Sequence, residues 1–163
     1  MKKIEIEIKL KVDNPVELLK KLDGKKPKIF YVKDEVFGSR VKPKIRKRTM
    51  SGNINKIEIQ RTTPIISENV NKKLEENLKR IPEGYKCENS YDKIRFKYKR
   101  DSCNVMVDFY SIGCFIEIEG TEKDIQKVAK SLKLDITKNI SDNIDTIFVK
   151  KCDKLAPFHW GFN

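Results

Sequence analysis

Ile4-Glu5-Ile6-Glu7-Ile8-Lys9-Leu10 decides how this chain is read. Apolar and charged residues alternate there without a break, the period of a strand with one buried face. Ile4, Ile6, Ile8 and Leu10 point one way; Glu5, Glu7 and Lys9 point the other. Two carboxylates and an ammonium at strand spacing form a rigid array suited to holding a divalent cation beside an anion. Far downstream, Phe115-Ile116-Glu117-Ile118-Glu119 repeats the arrangement, with glutamates on one face and isoleucines on the other.

Working outward, further alternating segments follow. Ile29-Phe30-Tyr31-Val32 reads as a second strand, and 39–44 as a basic connection. Ile45-Arg46-Lys47-Arg48 places two arginines on one face and turns through Ser51-Gly52-Asn53 into Lys56-Ile57-Glu58-Ile59-Gln60-Arg61, a hairpin that Pro64 ends. Lys93-Ile94-Arg95-Phe96-Lys97-Tyr98-Lys99 alternates cation and apolar residue, turns at Arg100-Asp101-Ser102, and returns through Asn104-Val105-Met106-Val107-Asp108. Asn14-Pro15 predicts a helix start, with Val16, Leu18, Leu19 and Leu22 as its stripe and Gly24 as its stop. Thr121 with Asp124 predicts a second capped start, ahead of Ile125, Val128, Ala129 and Leu132. The composition of 67–80 is helical, with Val70, Leu74 and Leu78 on one face, and 143–152 is a further short helix candidate.

The 163 residues fit one domain, without internal repeat or low-complexity linker, and 38% hydrophobic against 37% charged residues describes a soluble chain with an ionic surface or interior. A net charge of +12 favours anionic partners without choosing among phosphates, nucleotides and nucleic acid. The four cysteines show no C-x-x-C pair, and the single histidine lies in an aromatic tail, so structural zinc is not expected. No apolar run is long enough to span a membrane and no signal-peptide core is visible, which places the expected location in the cytoplasm.

On the charged faces the signs sort by strand. Glu5, Glu7, Glu117 and Glu119 fall on two segments; Arg46, Arg48, Lys93, Arg95, Lys97 and Lys99 fall on others. A solvated sheet face usually mixes signs, because like charges set opposite one another repel. Clustered carboxylates suit Mg²⁺ or Mn²⁺, while arginine and lysine cradle phosphoryl oxygens. Phosphoryl or nucleotidyl transfer is the chemistry such a pairing supports.

These segments resemble, in order and over nearly the whole chain, the motifs of the CYTH family, the triphosphate tunnel metalloenzymes. Glu5-Ile6-Glu7-Ile8-Lys9 matches its ExExK signature, Ile45 to Arg48 its Leu-Arg-x-Arg strand, and Lys93-Ile94-Arg95 its K-x-R strand. Val107-Asp108 matches its apolar-Asp pair, and Gly113 to Gly120 its G-x-F-x-E-x-E-G segment. The resemblance implies an α+β fold over 1–163: a closed antiparallel eight-stranded β-barrel flanked by helices, with a charged tunnel for a triphosphate. It implies Glu5, Glu7, Glu117 and Glu119 as ligands of Mg²⁺ or Mn²⁺, with Asp108 a ligand or a support behind them. It implies Lys9, Arg46, Arg48, Lys93 and Arg95 as triphosphate contacts, with Lys9 assisting the attacking water beside Glu5 and Glu7. Alternation alone adds Lys97.

Two departures stand out. The family's usual lysine in the fourth strand falls on Gln60, unless a bulge brings Arg61 into its place. The tyrosine of a C-terminal Ser-Tyr pair is absent from 143–148. The leading expectation is metal-dependent hydrolysis of tripolyphosphate, a nucleoside triphosphate or thiamine triphosphate. The alternatives are a class IV adenylyl cyclase making cyclic AMP and pyrophosphate, an RNA 5′-triphosphatase, and a non-catalytic polyphosphate or nucleic-acid binder. The aromatic tail at 157–162 offers either internal packing or a dimer contact.

Overall fold

A computed structural model describes residues 2–24, 26–39, 42–144 and 146–147. Strand β1 (Lys2–Val12) leads into helix α1 (Pro15–Lys21). Then come β2 (Lys28–Ser39), β3 (Lys42–Gly52), β4 (Lys56–Ile65), β5 (Asn71–Asn77), β6 (Lys86–Arg100), β7 (Cys103–Tyr110), β8 (Gly113–Glu119) and helix α2 (Glu122–Ser131). The strands close into a barrel in the order β1-β5-β4-β3-β2-β6-β7-β8, and every neighbouring pair is antiparallel. Closure leaves no open sheet edge. The expected eight-stranded barrel with flanking helices is therefore the observed fold.

The two glutamate strands, far apart in sequence, are neighbours. Glu7 lies opposite Glu119 and Lys9 opposite Glu117 in the β1–β8 pair. Their alternate residues face outward, where Ile8, Leu10, Ile116 and Ile118 join Val105 and Val107 of β7. Helices α1 and α2 cover this surface with Leu18, Leu22, Ile125, Val128, Ala129 and Leu132. While the charges share the barrel interior with Val36, Tyr91, Tyr110 and Ile144 of a smaller apolar cluster, the larger cluster thus lies outside the barrel wall. Each fully buried aliphatic side chain there contributes about 1.5–3 kcal/mol.

The caps follow the sequence reading. The Asn14 side chain accepts from the Glu17 amide at 3.1 Å, and Thr121 Oγ1 accepts from the Asp124 amide at 3.2 Å. At Gly120, a Cβ would stand 2.7 Å from Cys103 Sγ, so only glycine lets the end of β8 lie against β7.

The segment 67–80 corrects the helix expectation: Asn71–Asn77 is strand β5. Lys73 pairs with Glu5 of β1 on one edge and with Pro64 of β4 on the other. Helix propensity amounts to a few tenths of a kcal/mol per residue, and barrel closure, which satisfies both edges of this strand, overrides it. Pro64 does not end β4 but sits one residue before its last, where a missing N–H costs little of the ladder. The connection expected over 39–44 shrinks, since β2 runs to Ser39 and β3 begins at Lys42. Most of the 143–152 helix candidate, Cys152, His159 and the 157–162 tail lie outside the described residues.

Candidate active site in the barrel interior

Inward-facing side chains of the strands enclose a cavity of about 710 Å³. Glu5, Glu7 and Lys9 of β1 line it, with Arg46 and Arg48 of β3, Lys93, Arg95 and Lys97 of β6, and Glu117 and Glu119 of β8. Ten of the residues singled out from the sequence therefore share one space. The other two do not reach it.

Asp108 is one of these. It is fully buried behind the lining, where it accepts from Lys93 Nζ at 2.7 Å and from Arg95 Nε at 2.6 Å. Its carboxylate thus bridges two cations behind the cavity wall. Arg61 is the other. Its guanidinium turns outward to Glu76 at 3.1 Å, while Gln60 lines the cavity. The strand has no bulge at this point, so Gln60 keeps the inward register. Its Oε1 accepts from Arg46 Nη2 at 2.6 Å, and its Nε2 donates to Glu75 at 3.4 Å.

The interior is a lattice of buried ion pairs. Arg48 donates through Nε and Nη2 to the two oxygens of Asp34, both at 2.7 Å. Arg95 reaches past Asp108 to Glu117 at 2.6 Å. Lys9 Nζ stands 3.8 Å from Glu117. Lys93 also donates to the Tyr110 hydroxyl at 2.8 Å. Because Asp34 holds Arg48 and Asp108 holds Lys93 and Arg95, these cations that line the cavity are fixed in place by the protein itself.

Lys73, Glu75 and Asp34 went unseen in the sequence. Lys73 Nζ lies 2.6 Å from Glu5 and 3.1 Å from Glu7, bridging the two carboxylates of β1. Lys73-Leu74-Glu75 repeats the charged-apolar-charged alternation in miniature, a signal masked by the helical composition around it.

Charge and burial compete throughout. Burial raises the Glu7 carboxyl, and neighbouring Glu117 raises it further, against Lys73 and Lys9. Burial also pushes Glu5 up, but Lys73 outweighs it and holds the carboxyl below its usual range. Glu117 is held well below that range, since Arg95, Lys93 and Lys9 together overcome its burial. Glu75 is pushed up to about 6 by burial and by Glu5. Burial, with Arg95 beside it, brings the Lys93 ammonium down to about 8.

Among the described residues, no three Asp, Glu, His or Cys side chains converge on one point as a preformed metal centre. The donor set nonetheless has the chemistry of a hard-cation site. Its ligands would be carboxylates, and Lys73 already holds positive charge between Glu5 and Glu7. No described helix is long and apolar enough to cross a membrane.

No protein-family model matches the chain, and neither does any curated protein. Solved structures do match. The PH1012 protein of Pyrococcus horikoshii OT3 superposes with a TM-score of 0.70 at 24% identity, over 85% of this chain and 96% of that one. A candidate adenylate cyclase from Vibrio parahaemolyticus gives 0.72 at 14% identity, over 90% and 98%. A candidate adenylyl cyclase from Hippeastrum, described as having a dominant triphosphatase activity, gives 0.60 at 18% identity, over 94% and 98%. With its closed eight-stranded barrel and outer helices, the chain shares the fold of these solved structures.

Proposed function

We propose that the barrel binds a triphosphate inside its cavity and hydrolyses it with the help of Mg²⁺ or Mn²⁺. The observation that carries this reading is the meeting of six cations with the carboxylates of β1, β5 and β8 in one enclosed space. The cations are Lys9, Arg46, Arg48, Lys73, Lys93 and Arg95. A pure anion binder gains nothing from glutamates that would repel its ligand.

Arg46, Arg48, Lys93 and Arg95 would take the phosphoryl oxygens, arginine through its planar fork and lysine as a point charge. Asp34 and Asp108 keep three of these four in place, so little reorganisation accompanies the growth of negative charge on the leaving group. Lys9, on the rung opposite Glu117, would orient the attacking water. Glu5, Glu7, Glu117 and Glu119 would hold the divalent cation, which when bound neutralises phosphoryl charge and acidifies water.

The test is release of orthophosphate and pyrophosphate from tripolyphosphate, ATP and thiamine triphosphate. It is run with Mg²⁺, with Mn²⁺ and with chelator, on the wild type and on Glu5→Gln. Orthophosphate released only with metal, and lost in the variant, is the expected result. Pyrophosphate with cyclic AMP from ATP would make the protein a cyclase. Metal-independent polyanion binding without turnover would leave it a binding module.

A further inference from the structure

The four glutamates of β1 and β8 each meet a cation of the protein itself, and one of these contacts differs in kind. Glu117 accepts from Arg95 at 2.6 Å and stands 3.8 Å from Lys9, while Glu119 lies 3.1 Å from Lys3. Among the described residues, each of those cations pairs with only one of the four carboxylates. Lys73 pairs with two. Its Nζ lies 2.6 Å from Glu5 Oε1 and 3.1 Å from Glu7 Oε2, so the ammonium fills the gap between the carboxylates of β1.

Register fixes this placement. Lys73 stands directly opposite Glu5 across the β1–β5 pair, and Glu7 is two residues farther along the same inward face of β1. Residues directly opposite have Cβ atoms about 5 Å apart, well within a lysine's reach. The three side chains are 18%, 14% and 7% exposed for Lys73, Glu5 and Glu7, so solvent does little to screen the contact. A hard divalent cation bridging Glu5 and Glu7 needs the same gap. Mg²⁺ takes oxygens at about 2.0–2.1 Å and keeps several of its waters, which leaves no room for an ammonium on the same two carboxylates. Two positive charges a few ångströms apart in a buried site also repel strongly. Lys73 has somewhere else to go: it lines the same cavity as Arg46, Arg48, Lys93 and Arg95, so a phosphoryl oxygen bound there offers its ammonium another acceptor.

We propose that Lys73 is a built-in competitor of the divalent cation, filling the place between Glu5 and Glu7 in the ligand-free barrel and yielding it when a triphosphate draws the ammonium away. The empty barrel therefore binds metal weakly at these carboxylates, and metal and triphosphate promote each other's binding. Lys73 acts here through Glu5 and Glu7, as a positioning residue. The inference rests on the reading of the tunnel as a metal-dependent triphosphate site and adds what controls entry of the metal.

The experiment is calorimetric titration of Mn²⁺ into the metal-free protein without triphosphate, on wild type, Lys73→Gln, Lys73→Arg and Arg46→Gln. Lys73→Gln should bind Mn²⁺ about ten- to a hundredfold more tightly than wild type, the size of one charge-assisted hydrogen bond that the ion no longer displaces. Lys73→Arg restores the charge and should keep the weak wild-type affinity. Arg46→Gln removes a cavity charge without opening the gap and should gain far less. Urea unfolding gives a second readout: Mn²⁺ should raise the midpoint of Lys73→Gln and leave that of wild type nearly unmoved. Binding of a fluorescent non-hydrolysable nucleoside triphosphate, followed by anisotropy in chelator, should weaken about tenfold in Lys73→Gln, which has no ammonium to hand over.

A wild type that binds Mn²⁺ as tightly as Lys73→Gln, or an equal gain in Arg46→Gln, overturns the inference and leaves the metal site standing. Unchanged triphosphate binding in chelator overturns the transfer of Lys73. If Lys73→Gln folds only with Mn²⁺, the metal has taken the lysine's place, as expected; a failure that Mn²⁺ does not restore counts against the inference. No saturable Mn²⁺ binding in any variant removes the metal site itself. A protein that shows the Mn²⁺ gain yet releases no phosphate keeps this inference and loses the hydrolase reading.

Discussion

Asp108→Asn isolates the contribution of one carboxylate that lies behind the cavity lining. In the wild type Asp108 is fully buried and receives Lys93 at 2.7 Å and Arg95 at 2.6 Å. The variant keeps the shape but turns an amide donor toward one of two cations and removes the negative charge between them. Breaking a buried ion pair from one side costs about 3–5 kcal/mol. At roughly 2–4 °C per kcal/mol for a chain of this size, the melting temperature should fall by about 10 °C. The loss carries a pH signature. Lys93 sits at about 8 with Asp108 in place, already below an ordinary lysine because burial dominates. Without Asp108 it falls further, so the folded variant releases this proton at a lower pH while the unfolded chain keeps it. Stability rises with pH wherever the unfolded state binds more protons. From this lysine the variant therefore gains stability as pH climbs toward about 8, over a range where the wild type is flat. Above that value both have lost the proton, and the deficit narrows to the Arg95 contribution. Urea unfolding at pH 6, 7, 8 and 9 reads this directly. A deficit under about 1 kcal/mol, or one that stays constant from pH 6 to 9, would refute the reasoning.

Three further outcomes follow from the same geometry. Lys73→Met strips the cation between Glu5 and Glu7; the variant should lose about 3 kcal/mol at pH 7 and recover part of it by pH 5, where the folded acids take up protons that stabilise them, as urea titrations at the two pH values would show. Arg46→Gln should lower triphosphate kcat/KM about a hundredfold, whereas Arg61→Gln, on the outer face, should change it less than about twofold in the same phosphate-release assay. Thr121→Ala removes the cap of α2 and should cost about 1 kcal/mol in thermal unfolding, with substrate KM unchanged.

What could be read from residues alone was whatever alternated cleanly. β1, β6 and β8 each set apolar side chains against charges of largely one kind, so period and sign together announced strand, facing and chemistry. β5 lacked that contrast. Lys72 and Glu76 face outward to Glu122 and Arg61, while Lys73 and Glu75 face inward, so both faces are charged and no period-two hydropathy survives. Lysine and glutamate are good helix formers, and composition then pointed the wrong way. Asp34 was hidden for a related reason. It stands between Lys33 and Glu35, and nothing local distinguishes the carboxylate that will lock Arg48 from the one beside it that meets Lys47 at 2.8 Å. Such partners become visible only when register is known. Gln60 illustrates the converse: its departure from lysine was legible, but whether Arg61 replaced it depended on a bulge that the strand does not make.

The placement of the apolar core gives the barrel two walls of unequal stiffness. β1, β7 and β8 are clamped beneath α1 and α2, and these strands hold Glu5, Glu7, Glu117 and Glu119. Neither hydrophobic cluster among the described residues recruits a side chain from β3, β4 or β5. The carboxylates are thus mounted on the rigid half, while Arg46, Gln60 and Lys73 ride on the half that can breathe. Amide exchange should run faster along β3 and β4 than along β7 and β8.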